Sequence, residues 1–369
     1  AGKIDLGVGV YKDETGLTPI MNSVRKAEQR ILDTAKTKTY VGVVGNRGFS
    51  AAIVDLALGG VVDLNRVRTV NGNGGTGALM ILAHVLGRAR PGGRIFISDP
   101  SWPNHWPLVE MAGLAPHYYP YFDAMTRRVD FDAMMQVVDS LTSDDVLLLH
   151  GCCHNPTGAN LSREQWDSVA ASLQRTGAFP LVDLAYLGFG DGLEEDAYGV
   201  RKVVAAVPES MVAFSASKNF GLYRERAGVA IAIGRDAAAA DIVSSQMQNV
   251  IRATISQTPD HGAEVARVIL EDKELRAEWE AELTEMRERM KRLRVKLTEA
   301  IRQRSNSTDF DFIAEHSGMF SLLGLPQEVV AKLKLEDAVY MINDSRINVA
   351  GIPEDRVGEL ADYLLAAIP

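Results

Sequence analysis

Between Val67 and Ile233 the chain returns repeatedly to short, uninterrupted apolar runs: VRTV, RIFIS, APHYYPY, VLLLH, FPLVD, MVAFS and VAIAI. Apolar residues follow one another here instead of alternating with polar ones, so both faces of each strand must be covered. That is the pattern of parallel strands buried between helices, and it predicts an α/β layered sheet. Helical or loop-like stretches separate the runs. Ser162 to Gln165 forms a capping box and predicts a helix that continues through Gln174 and stops near Gly177.

From Lys273 to Asn306 the period changes to three and four, with Leu275, Trp279, Leu283, Met286, Met290, Leu293 and Leu297 on one stripe of a charged helix. A helix this long commonly joins two lobes. The runs FDFIA, GMFSLLGL, VYMI and RINVA, and a terminal helix after them, predict a small α+β lobe against which the first residues also pack. The expected division is a large domain over 19–285 and a small one over 1–18 and 286–369.

A chain of 369 residues, 46% hydrophobic and 24% charged, is long enough to bury a large core and a smaller one. Its net charge of −9 comes without any basic block, which argues against nucleic acid or an acidic membrane as partner and leaves a small molecule as the expected ligand. The N-terminus AGKIDLGVGVYKDE lacks a signal-peptide layout and no apolar run is long enough to span a bilayer, so the expected location is the cytoplasm. The two cysteines are neighbours, Cys152 and Cys153, and cannot build a disulfide framework.

Several clusters could carry chemistry. VNGNGGTGALM contains G-x-G-x-x-G at Gly72, Gly74 and Gly77, with Asp99 following 22 positions after Gly77, which on paper is a dinucleotide fingerprint. In FSASKNFGLYRER, Lys218 directly follows an apolar strand among Ser215, Ser217, Arg224 and Arg226. A lysine desolvated beside other cations becomes a nucleophilic amine, and the serines and an arginine suit a phosphate. A solvated loop lysine is the bland alternative.

HGCCHNPTGANLS places His150, Cys152, Cys153 and His154 together, but the spacing matches no standard zinc pattern and neighbouring strand side chains point apart, so no metal is expected. Asn155 sits in the turn that follows. Asp183 ends the strand LVD and Tyr186 lies three residues on, where a buried carboxylate needs a partner. Trp102 and His105 follow a further strand end and offer a flat ring and an imidazole, or simply core packing. Arg252 and Arg346 are two guanidinium forks that suit a substrate with a carboxylate at each end, or two surface ion pairs.

Taken in order, GGTGAL, PSWPNH, HNPTG, DLAY, SASKNFGLYRERAG and SRIN resemble the aspartate and aromatic amino acid aminotransferases, pyridoxal 5'-phosphate enzymes of fold type I. KIDLGVGVYKDETG, HGCCHNPTGANL, YLGFGDGLEEDA and SRINVAG resemble the bacterial aromatic branch most. The resemblance implies a mostly parallel seven-stranded sheet between helices plus a smaller α+β domain. It implies that Lys218 holds the cofactor covalently and shuttles the substrate Cα proton, that Asp183 pairs with the pyridinium nitrogen and that His105 steadies Asp183. Trp102 is implied to stack on the ring, and Asn155 and Tyr186 to bond its phenolic oxygen. Gly75, Thr76, Ser215, Ser217 and Arg226 would hold the phosphate, joined by Tyr40 of a neighbouring subunit, which makes the dinucleotide match accidental and the active unit a homodimer.

Arg346 is implied to take the substrate α-carboxylate with a backbone contact from Gly9, Arg252 of the partner chain to take a distal carboxylate, and Phe320 to line the pocket. Ile255 stands where the aspartate enzymes commonly have tryptophan, and Gln257 where they have asparagine. Both lie close to Arg252. The expected reaction is transamination of an aromatic amino acid with 2-oxoglutarate. Aspartate is the alternative donor and a pyridoxal-phosphate lyase the more distant one.

Overall fold

A computed structural model describes residues 2–367. The apolar runs form one seven-stranded sheet from β1 (Val67–Asn73), β2 (Arg94–Asp99), β3 (Ala115–Pro120), β4 (Val146–His150), β5 (Phe179–Leu184), β6 (Ser210–Ser215) and β7 (Ala227–Ile233). Their order is β1-β7-β6-β5-β4-β2-β3. β7 runs antiparallel to both of its neighbours, and every other adjacent pair is parallel.

Every residue of β6 and β7 is buried. Alternate side chains go to opposite faces: Val212, Phe214, Val229 and Ile231 join one core, whereas Met211, Ala213, Ala230 and Ala232 join another. Covering both faces explains the absence of polar alternation in these strands. The helix after the capping box spans Arg163–Thr176, with Ser162 as its cap and Gly177 in a left-handed conformation at its end. The helices Asn22–Thr34 and Arg47–Leu58 also pack on the large core, the second one capped by Asn46, whose side chain accepts from the Phe49 N–H.

The long helix runs over Lys273–Ser305, about 50 Å at 1.5 Å per residue. Asp272 caps its start by accepting from the N–H groups of Glu274 and Leu275, and Asn306 ends it in a left-handed conformation. Its apolar stripe serves two cores in turn. Leu275, Trp279, Leu283, Met286 and Met290 pack with the sheet, and Leu293, Leu297 and Ile301 pack with Ile4, Leu6, Val339, Leu360 and Leu364.

Around that second core Ile4–Asp5 pairs in parallel with Val339–Tyr340, and Phe320–Leu322 pairs antiparallel with Arg346–Asn348. The Asn348 side-chain amide donates to the carbonyls of Val8 (2.6 Å) and Val10 (2.7 Å), which fixes Gly9 beside the strand carrying Phe320. The fully buried guanidinium of Arg294 donates to the carbonyls of Ile313, Gly318 and Phe320 and to the Ser321 hydroxyl. It thereby locks the backbone of the Phe320 strand.

Candidate active site

The carboxyl ends of β1, β4, β5 and β6 open onto a single cavity of about 190 Å³. Ligands in open α/β sheets bind outside the strand ends in this way. β1 turns directly into the helix Gly74–Ala89. Gly74 has φ +67°, and a Cβ there would lie 2.5 Å from an Arg226 terminal nitrogen. One at Gly75 would lie 2.8 Å from the Ser215 Cβ. Only glycine lets the strand of Ser215 and the Arg226 guanidinium come this close to the first turn of the helix.

The result is a cradle for an anion. The first N–H groups of a helix have no partner within it and carry its positive end. Gly75 and Thr76 supply them at the cavity, with Ser215, Ser217 and Arg226 on the same wall. Arg226 is held in place by donating to the Ser217 hydroxyl (3.2 Å) and to the Asn73 carbonyl (3.2 Å). Arg226 itself has φ +54° and accepts the Gly74 N–H at its carbonyl (2.7 Å).

Lys218 projects into the cavity just past β6, its amine 4.9 Å from the centre of the Tyr186 ring. Burial pushes its pKa down and Arg226 adds to the effect, while Asp183 opposes it. The loop after Lys218 is pinned from outside the site: the Trp279 indole donates to the Asn219 carbonyl (2.7 Å) and stacks on Phe220 at 4.5 Å. The lysine is thus positioned by its backbone, and its side chain is spared for chemistry.

Asp183 of β5 is buried and faces a line of hydrogen bonds. His105 Nε2 lies 2.9 Å from its carboxylate, His105 Nδ1 lies 2.9 Å from the Ser101 hydroxyl, and that hydroxyl lies 3.2 Å from His150 Nε2. Burial alone would raise the Asp183 pKa. The hydrogen bond from His105 is the largest opposing effect, and with the positive charge of Lys218 beside it the carboxyl is held below its usual range. Asp183 is therefore a buried anion that lacks a full cation partner and faces the cavity.

On the small-lobe side Arg346 donates to the Asn155 side-chain oxygen (3.0 Å) and lies 4.4 Å from the centre of the Phe320 ring. Its Nε is buried without a hydrogen-bond partner. Such an orphaned donor on a guanidinium fork suits a carboxylate ligand. Trp102, Asn155, Tyr186, Phe320 and Gly9 complete the lining.

The sequence expectations thus converge, with informative exceptions. His105 stands behind Asp183 and not in the wall. Tyr40 and Arg252, which the resemblance assigns to the neighbouring subunit's site, are exposed and lie outside this cavity. Three lining residues were not singled out for this cavity: Leu79, Ala185 and His150. Leu79 lies one helical turn beyond Gly75, a spacing that could have identified it.

Two alternatives that the sequence raises and sets aside can be placed in the structure. The dinucleotide fingerprint needs its acid on the strand beside the glycine turn. Asp99 ends β2, and β7, β6, β5 and β4 separate β2 from β1, roughly 24 Å at the usual strand spacing. The tempting His150 and His154 pair is committed to hydroxyls: His154 Nε2 to Ser98 (3.0 Å) and His154 Nδ1 to Thr157 (2.9 Å), with Tyr121 stacked on its ring at 3.9 Å.

These histidines make stability depend on pH. Burial first, then the neighbouring His105, lowers the His150 pKa to about 3, burial and His150 push His154 well below 6.5, and burial with Arg294 lowers His316 to about 4. Above pH 6.5 the rings are neutral whether the chain is folded or not. Below it the unfolded chain takes up protons that the folded one refuses, so stability falls toward pH 4. Each ring steepens the loss by about 1.4 kcal/mol per pH unit. Denaturant midpoints should therefore drop steadily from pH 6.5 to pH 5; a flat profile over that interval would contradict the neutral rings.

The comparisons with known proteins agree with this geometry. Residues 1–364 match the family model described as aminotransferase class I and II. An aromatic-amino-acid aminotransferase of Paracoccus denitrificans is 49% identical, covering 99% of this chain and 92% of the relative. An aspartate aminotransferase of Escherichia coli strain K12 is 43% identical, covering 100% of this chain and 93% of the relative. Among solved structures, an aromatic-amino-acid aminotransferase from Burkholderia pseudomallei, described as covalently bound to pyridoxal phosphate, matches with a TM-score of 0.96 at 38% identity, covering 100% of this chain and 93% of that one. With an anion cradle, a buried amine and a buried acid at the strand ends, and a family match along nearly its whole length, the chain belongs to the class I and II aminotransferases.

Proposed function

We propose that the protein binds pyridoxal 5'-phosphate through Lys218 and transfers the amino group of an aromatic amino acid to 2-oxoglutarate. The observation that carries this reading is the meeting of Lys218, Asp183 and the Gly75–Thr76–Ser215–Ser217–Arg226 cradle in one cavity with Arg346. These residues fit the cofactor by the chemistry of each donor. The cradle supplies directed N–H and O–H groups for a phosphate, Asp183 supplies an anion for a protonated ring nitrogen, and Trp102 supplies a flat face. When bound, the cofactor acts as an electron sink for the electrons released at the substrate Cα.

The chain's own residues then have separate tasks. Arg346 fixes the α-carboxylate through its unpaired Nε, with Asn155 and Gly9 beside it. The Lys218 amine, whose pKa burial lowers, takes the proton from Cα and returns it on the other side of the reaction. Tyr186 donates its phenolic hydrogen, which burial keeps firmly on the oxygen. Trp102 and Phe320 cover the reacting atoms and keep water out.

The exposed positions of Tyr40 and Arg252 support a homodimer in which each reaches the partner's site, Tyr40 at the phosphate and Arg252 at the distal carboxylate of 2-oxoglutarate. The two cores served by the long helix support a large domain over 19–285 and a small one over 1–18 and 286–369. Free thiols at Cys152 and Cys153 fit the reducing cytoplasm. Among the described residues no helix is long and apolar enough to cross a membrane.

The order of identities among the relatives favours aromatic donors over aspartate. Arg252 suits aspartate equally well, so the donor is settled by kcat/KM for phenylalanine, tyrosine and aspartate with 2-oxoglutarate as acceptor. Phenylalanine and tyrosine are expected to exceed aspartate by at least about tenfold, the least that differential burial of an aromatic side chain supplies. Predominant aspartate turnover would overturn the donor assignment and leave the aminotransferase reading in place.

A further inference from the structure

Behind the active-site cavity the chain leaves β4 at His150 and bends through Gly151 to Cys153, which has φ +49°. In a strand the side chains of neighbouring residues point apart. Here the strand has ended, and the left-handed backbone at Cys153 brings the two thiols to one side. The sulfur atoms of Cys152 and Cys153 and a carboxylate oxygen of Asp196 all lie within 4.8 Å of one another.

Asp196 sits in the first turn of the helix Leu193–Ala206 and is buried. Its carboxylate accepts the N–H groups of Gly188 (2.8 Å), Gly190 (2.9 Å) and Asp191 (2.8 Å). Two of these bonds fall on Oδ2 and one on Oδ1, so a lone pair on Oδ1 remains. No cation partners it among the described residues, and the nearby acid Asp191 pairs with Lys291 (3.1 Å). A buried carboxylate without a counter-charge is costly, and a bound cation relieves that cost.

An entry path exists. A second cavity of about 280 Å³, distinct from the one at the strand ends, opens on Cys152 and Asp196 and carries Asp191 and Glu195 in its wall.

We propose that Cys152, Cys153 and Asp196 form a binding site for a thiophilic divalent cation of the zinc and cadmium class. Tetrahedral coordination at the usual Zn–S and Zn–O lengths puts ligand atoms roughly 3.5–3.8 Å apart, so the three groups need to close by about 1 Å. Side-chain rotation at two cysteines supplies that. Binding converts both thiols to thiolates: two metal–sulfur bonds form, two S–H bonds break, and the two protons leave to solvent. Glu195, Asp191 or a water from the second cavity takes the fourth position. Two sulfur ligands select this class over magnesium or calcium, which demand six or more oxygens.

The test titrates the reduced, chelator-stripped holoenzyme with cadmium ion, following thiolate-to-cadmium charge-transfer absorption in the ultraviolet and proton release in weak buffer. Saturation at one equivalent with two protons released is expected. Cys152→Ser and Cys153→Ser are each expected to weaken binding by at least about 100-fold. Absorption that survives Cys153→Ser at the original affinity, or no absorption in the wild-type enzyme, would overturn the site. Should Cys153→Ser fail to fold, proton release by the wild-type enzyme decides: two per cadmium support the site, and one or none refutes it.

Discussion

Replacing Lys218 with alanine is expected to lower kcat for amino-group transfer by at least about four orders of magnitude, the upper range for a positioned proton-transfer group. The fold should survive the change. The backbone of the following loop is held by the Trp279 indole on the Asn219 carbonyl and by the stacking of Phe220 on Trp279, neither of which involves the lysine side chain. Lys218→Arg separates the chemical role from mere charge. A guanidinium keeps the cation but does not give up its proton, so an amine that must cycle between protonated and free forms is not replaced by it. Single-turnover kinetics with both variants, alongside circular dichroism, checks this. Activity restored by arginine would reduce Lys218 to a countercharge for Asp183.

The second large effect is at Asp183, where substitution by asparagine preserves size and removes the charge. A loss of about 10²–10³-fold in kcat is expected, the usual consequence of deleting one preorganised electrostatic partner. Asp183 is held below its usual pKa against its own burial, chiefly by the hydrogen bond from His105, so the structure expends a dedicated partner on keeping that charge. Asp183→Glu should restore part of the rate, because the charge returns at a slightly wrong distance. A shift in the pH dependence of cofactor absorbance should accompany Asp183→Asn, since a ring nitrogen without its anion loses its proton at lower pH. If Asp183→Asn turned over at the wild-type rate with an unshifted profile, the carboxylate would have only a structural role.

Much of this was legible in the sequence because the relevant signals are local. Buried strands declare themselves by unbroken apolar runs, and the helix from Ser162 by its capping box. The site residues fall at strand ends, where the chain turns and side chains such as Lys218 and Asp183 emerge side by side. What stayed hidden depends on tertiary placement. VAIAI reads like any parallel strand, yet β7 runs antiparallel, because a strand buried on both faces has the same composition in either direction.

The accidental dinucleotide match failed for the same reason. Spacing along the chain from Gly77 to Asp99 says nothing about which strands become neighbours. Nor could spacing show that His150 and the Ser101–His105 segment join Asp183 in one hydrogen-bonded line, since the three strand ends involved lie far apart along the chain. At Cys152 and Cys153 the alternation rule misled. It assumes an extended strand, and the chain had already left β4 and taken a left-handed turn.

The most direct measurement of the central claim is reduction of the cofactor-loaded enzyme with borohydride, followed by digestion and mass spectrometry. The expected result is one pyridoxyl-phosphate adduct per chain, located on the Lys218 ε-amine in the peptide that includes Ser217 and Asn219. An adduct on any other lysine, or a protein that retains no cofactor mass after reduction, would contradict the account.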